Sequence, residues 1–118
     1  MSKKISAGAT KDDGGKIRFD LIPPEIEEEL ARVVTYGANK YGARNCEKGF
    51  GYGRLYAAAR RHLNAFWSGE DRDKESGLPH LSHALWNIGM LIVQQQRRIG
   101  EDDRSQGQTT FDRLLQRN

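Results

Sequence analysis

The sequence predicts an all-α fold, a small helical bundle. Two observations carry this. Apolar residues recur at helical spacing in three separate stretches. No stretch of strand length alternates cleanly between apolar and polar. A third point concerns size: 118 residues make one domain with one modest core, which association between copies would enlarge.

Residues 1–15 are Gly, Ser, Lys and Asp with almost nothing to bury, and read as a flexible arm. Residues 16–100 read as one helical domain, where any catalytic residues are expected. Its first helix opens at Pro23 and Pro24, with glutamates in the first turns where the helix dipole favours negative charge. Ile26, Leu30, Val33, Val34 and Tyr41 follow at helical spacing, and Gly37 is the expected end or bend. The glycine-rich run at 47–55 reads as a flexible connector. It lacks the Lys-Ser/Thr and preceding strand of a phosphate loop.

A second helix is expected from Arg54 to Trp67, with Tyr56, Ala59, Leu63, Phe66 and Trp67 on its apolar face. Residues 68–79 are a polar loop. The third helix runs from Pro79 or His80 to about Arg98, with Leu81, Ala84, Leu85, Ile88, Leu91 and Ile92 as its core face. Gly100 stops it. Residues 101–118 form a polar tail in which Phe111, Leu114 and Leu115 suit one short terminal helix. Trp67, Trp86 and that terminal helix are the expected contacts of a homodimer or homotetramer.

Composition narrows the function. The chain is 36% apolar and 30% charged, with a net charge of +3. That balance permits an anionic ligand without the dense basic stripe of a nucleic-acid binder. No apolar run is long enough to span a membrane, and the N-terminus is not a signal peptide. A single cysteine, Cys46, excludes an internal disulfide and fits a reducing cytoplasm.

All three histidines of the chain fall between His62 and His83, together with Glu70, Asp71, Asp73 and Glu75. His80, His83 and Asn87 share one stripe of the third helix. Two imidazoles and nearby carboxylates form a candidate metal shell. The same residues also read as a solvated acidic loop beside hydrogen-bonded core histidines. In GGKIRFDLIPP, Lys16 and Arg18 alternate with apolar residues, so that two cations face one way toward a phosphate or toward solvent. In YGANKYGARN, Lys40 and Arg44 share a helix face, and Tyr36 and Tyr41 are suited to stack on a base.

These segments resemble the small phage dATP/dGTP diphosphohydrolases, similar in turn to the MazG-like all-α nucleoside triphosphate pyrophosphohydrolases. The resemblance spans about residues 14–93. It rests on K-x-R-x-D-L-x-P at 16–23, Y-G-A-x-K-Y-G at 36–42, and Arg61-His62 leading to D-x-E-S-G-L-x-H-L-x-H-A at 73–84. It implies an oligomeric bundle that uses Mg²⁺ or Mn²⁺ to cleave dGTP or dATP to the monophosphate and pyrophosphate. Some phage members, the MazZ enzymes, supply dGMP for 2-aminoadenine DNA, a context open to this chain.

Within that resemblance the metal candidates are His62, Glu70, Asp73, Glu75, His80 and His83. Glu70, Asp73, Glu75 and His83 are the catalytic candidates. Lys16, Arg18, Lys40, Asn45 and Arg61 are the candidates for substrate contact, and Tyr36, Asn45, Tyr52 or Trp67 for the base. The chain departs from the wider superfamily, whose metal helices carry E-x-x-E and E-x-x-D. Here the last helix carries His80-x-x-His83, Glu70–Asp73 lies in the loop, and Glu25–Glu28 lies on the first helix. Cys46 stands where the phage family favours Trp. Two rivals remain: an HD-type triphosphohydrolase, against which the missing His-Asp pair counts, and a non-enzymatic helical module binding DNA or a protein.

Overall fold

The structure is a computed structural model and describes residues 8–105. The expected terminal helix and the first seven residues of the arm lie outside that range. Among the described residues there are three α-helices and no strand: α1 (Pro24–Tyr41), α2 (Tyr52–Trp67) and α3 (His80–Arg97). Two short 3₁₀ turns, Phe19–Leu21 and Asn45–Lys48, precede α1 and α2. No helix here is long and apolar enough to cross a membrane.

Pro23 precedes α1 and Pro24 opens it, where a missing N–H costs nothing. The helix does not stop at Gly37. It continues to Gly42, which caps it at φ 101°, a backbone angle that glycine adopts without strain. The alternating run before α1 is not extended either. It closes into the Phe19–Leu21 turn, where Arg18 bridges Asp20 at 2.8 Å in solvent. α2 starts two residues earlier than its periodicity predicts, inside the glycine-rich run.

α3 is the central element, and α1 and α2 both pack on it. Its buried face differs from the sequence expectation. The buried residues are His80, Ser82, Ala84, Asn87, Met90 and Gln94. The apolar stripe of Leu81, Ile88 and Ile92 remains 46%, 45% and 51% exposed. The helices of one chain meet through short and polar side chains. Ser82 Oγ, for example, donates to Glu29 Oε1 of α1 at 2.9 Å. The apolar core is thin: Val33, Leu55, Ala59, Ala84 and Met90.

Gln94 is fully buried and behaves as a backbone partner. Its Oε1 accepts from the Phe50 N–H at 2.8 Å and its Nε2 donates to the Phe50 carbonyl at 2.9 Å. A side chain at Gly100 would meet both of those groups at 2.5 Å. After α3 the chain folds back onto the start of α2. Tyr52 N–H donates to the Glu101 carbonyl, and Asp103 accepts from Gly53 N–H at 2.8 Å.

Candidate active site

The loop between α2 and α3 does not hang free. Glu70 N–H bonds back to Ala65 of α2, Asp73 N–H to the Leu78 carbonyl, and His80 N–H to the Asp71 carbonyl. Gly77, at φ 76°, makes the turn that lets Asp73 and Leu78 face each other. The loop thereby sets its carboxylates against the first turn of α3 and the last turns of α2.

The three histidines meet there. His62 Nδ1 lies 2.8 Å from His80 Nδ1, so the two rings share one proton. His62 also stacks on His83, with ring centres 4.6 Å apart and planes 12° from parallel. His80 is 6% exposed. Its Nε2 is buried and has no hydrogen-bond partner among the described residues; Glu70 Oε2 stands 3.7 Å away. An orphaned buried nitrogen is rare in a folded protein and needs a reason.

Ligand atoms of His62, Asp73 and His80 all lie within 4.8 Å of one another. With its orphaned nitrogen, this donor set fits a divalent cation. Two imidazoles and a carboxylate suit Mn²⁺ or a later first-row metal better than the harder Mg²⁺.

Electrostatics keep the cluster neutral on one side and negative on the other. Burial pulls His62 below the ordinary imidazole value, and His83 and His80 push it further down. Burial also lowers His83, against the opposing pull of Asp73. Partial burial would raise Asp73, but the backbone N–H and hydroxyl of Ser76 outweigh it and hold the carboxylate below its usual value.

Beside the cluster lies a cleft of about 530 Å³, and His83 is among its lining residues. That volume is in the range of small-molecule sites. Tyr36, Tyr41, Phe50 and Trp86 supply aromatic wall. Arg44, Arg54 and Arg61 supply cations, and Asn45 and Asn87 supply amides. Among the described residues, no Asp or Glu lines it. The cleft is therefore an anion-accepting, aromatic-walled groove opening onto an imidazole–carboxylate cluster.

The structure brings together His62, Asp73, His80 and His83, with Glu70 at the edge. It places Asn45 and Arg61 in the cleft. Glu75 turns away toward α1, where it accepts from Lys40 Nζ and, at 3.3 Å, from Tyr36 OH. That ion pair occupies Lys40 and lowers Glu75. Lys16 and Arg18 precede α1 and do not line the cleft; neither do Tyr52 and Trp67, the latter 86% exposed. Glu28 of the E-x-x-E pair bridges Arg32 at 2.9 Å. Trp86, expected at a contact between copies, is a cleft wall.

One residue escapes the sequence reading: Arg54 stands two helical turns before Arg61, a spacing that signals a shared face. Arg44, expected to share a helix face with Lys40, instead lies beyond the end of α1 at φ 62°, a left-handed conformation for a non-glycine residue, and lines the cleft.

The chain matches the family described as dATP/dGTP diphosphohydrolase, N-terminal, over residues 6–104. It is 37% identical over 94 residues to a dATP/dGTP diphosphohydrolase of Salmonella phage PMBT28. That match covers 80% of this chain but 32% of the phage protein, so the chain spans about a third of that relative's length. No solved structure matches it. With the match running from the arm past the end of α3, the chain belongs to the dATP/dGTP diphosphohydrolase N-terminal family.

Proposed function

We propose that this chain is a divalent-metal-dependent pyrophosphohydrolase that cleaves dATP or dGTP to the monophosphate and pyrophosphate. The observation that carries the reading is the orphaned, buried His80 Nε2, set in an imidazole–carboxylate cluster at the end of an arginine-rich cleft. The family and the phage relative's name support the substrate class.

His62, Asp73 and His80, with Glu70 beside them, would hold the ion. When bound, it supplies positive charge at the phosphate and eases loss of a proton from water. The protein's own groups do the rest. Arg54 and Arg61 face the polyphosphate with charge that needs no proton exchange. The aromatic wall receives the purine. His83, kept neutral by burial, accepts the proton of the attacking water. Water oxygen bonds to the α-phosphorus, the bridging oxygen to the β-phosphorus leaves, and pyrophosphate departs.

The half-exposed stripe of Leu81, Ile88 and Ile92 supports a homodimer or homotetramer joined along α3. The relative's phage origin supports a role in the host cytoplasm during phage DNA synthesis, with supply of a modified-purine pathway as one form of it.

Phosphorus NMR of dGTP and dATP reactions tests the proposal. Monophosphate with pyrophosphate, abolished by EDTA and restored by Mn²⁺, is the expected result. Nucleoside with inorganic triphosphate would favour the HD-type rival. No turnover with either substrate would favour a binding module.

A further inference from the structure

Ser76 stands at the centre of the loop, between a carboxylate and an imidazole. Its Oγ lies 2.9 Å from Asp73 Oδ2, 2.7 Å from His83 Nε2 and 3.1 Å from Leu78 N. A hydroxyl has one proton and two lone pairs. Leu78 N–H can only donate, so it takes one lone pair. Asp73 Oδ2 already accepts from the Ser76 backbone N–H at 2.9 Å. An ionised carboxylate can only accept, so the hydroxyl proton goes to Asp73. One lone pair then remains for His83, and His83 Nε2 must carry the hydrogen that fills it. The reverse order would need a proton on Asp73 Oδ2, the oxygen that already accepts the Ser76 N–H.

From this chain of donors we propose that Ser76 is a positioning residue that fixes His83 as the Nε2–H tautomer, leaving Nδ1 as the one lone pair the ring presents to the site. The proposal rests on the pyrophosphohydrolase reading for its consequence, but not for its geometry. The proton that leaves water passes to His83 Nδ1, and the imidazolium so formed already donates through Nε2–H to Ser76, which donates to Asp73⁻. No proton need cross the ring, and the charge of Asp73 is felt through one hydroxyl. The order resembles an imidazole oriented by a carboxylate, with a serine inserted between them. The other face of the ring is held by stacking on His62. Rotation of the ring out of its plane would break both contacts at once.

The test is side-chain ¹⁵N NMR of the full chain without metal, at a pH where His83 is neutral. Wild type should show a protonated, pyrrole-type Nε2 and a bare, pyridine-type Nδ1 at His83. Ser76→Ala should mix the two tautomers and lower kcat about 10–100-fold, the usual effect of losing such a partner, with KM little changed. Ser76→Thr, which keeps the hydroxyl, should restore both. A wild-type Nδ1–H tautomer would overturn the proposal without any variant. So would an Ala variant that keeps both the wild-type tautomer and kcat. A clear Nε2–H tautomer in a protein that turns over no nucleotide would leave the tautomer assignment standing and refute the enzyme reading instead.

Discussion

Replacing His80 with Ala separates a metal ligand from a core histidine, because the structure gives opposite signs to the terms involved. His80 is nearly fully buried, so removing the ring leaves a cavity, at a cost of about 2–3 kcal/mol. It also unpairs half-buried His62 Nδ1, adding about 1 kcal/mol. Against these, it removes Nε2, a buried atom with no partner, whose desolvation already costs the folded state about 1–3 kcal/mol. The net apo effect centres on a loss of about 1.5 kcal/mol, a drop of roughly 6–12 °C in Tm. Metal changes the balance. At 100 times Kd, Mn²⁺ stabilises wild type by about 2.7 kcal/mol. A variant that binds 10–100-fold more weakly gains only about 0.4–1.4 kcal/mol at the same concentration. Calorimetric melts in EDTA and in Mn²⁺ read both quantities. An equal Mn²⁺ gain in the two proteins would refute the assignment of this ring to the metal. So would a variant that melts higher than wild type in EDTA yet turns over substrate normally.

Three further outcomes follow from the same geometry. His62 and His83 are both depressed below 6.5, so the unfolded chain binds more protons than the folded one. Apo stability should be full above pH 6.5 and fall as pH drops through that value toward the folded ones, and denaturant titrations that stay flat between pH 5 and 8 would contradict this. Arg54→Gln and Arg61→Gln, at exposed positions of α2, should raise KM about 10-fold or more by removing a charge-assisted phosphate contact, with Tm unchanged in thermal melts. Ile88→Glu should convert a dimer or tetramer to monomer in light scattering; a monomeric wild type would show that the α3 stripe is simply solvated.

The helices were legible in the sequence because their signals are local: the Pro23–Pro24 start, the 3.6-residue recurrence, and the glycines after α1. The facing of α3 was not. Periodicity finds the apolar stripe of Leu81, Ile88 and Ile92 and assigns it to the core. The chain's own contacts instead use His80, Ser82, Asn87 and Gln94, whose burial depends on partners far away in sequence. The histidine cluster was legible for a different reason. His62 lies in the last turns of one helix, His80 and His83 begin the next, and the loop 68–79 brings those two ends together, so proximity follows from topology. Glu75 shows what sequence proximity leaves open. It is near in sequence, but the loop turns it toward Lys40. Lys16 and Arg18 carry charge with no structural constraint, and nothing in their spacing locates the cleft. Ser76 is silent in sequence because its role depends on three partners fixed only by the folded turn.

The Gln94–Phe50 pairing sets a scale for the whole groove. Phe50 is one wall of the cleft, and one side-chain amide of α3 holds its backbone by both N–H and C=O. His83, which lines the same cleft, belongs to the same helix eleven residues earlier, about 16 Å along the axis. One helix therefore carries both the imidazole and the anchor of an aromatic wall. Their spacing is counted in turns of α3, not left to the connecting loops. A single residue inserted between His83 and Gln94 would turn one by about 100° relative to the other, and the cleft would lose its shape while keeping every side chain that lines it.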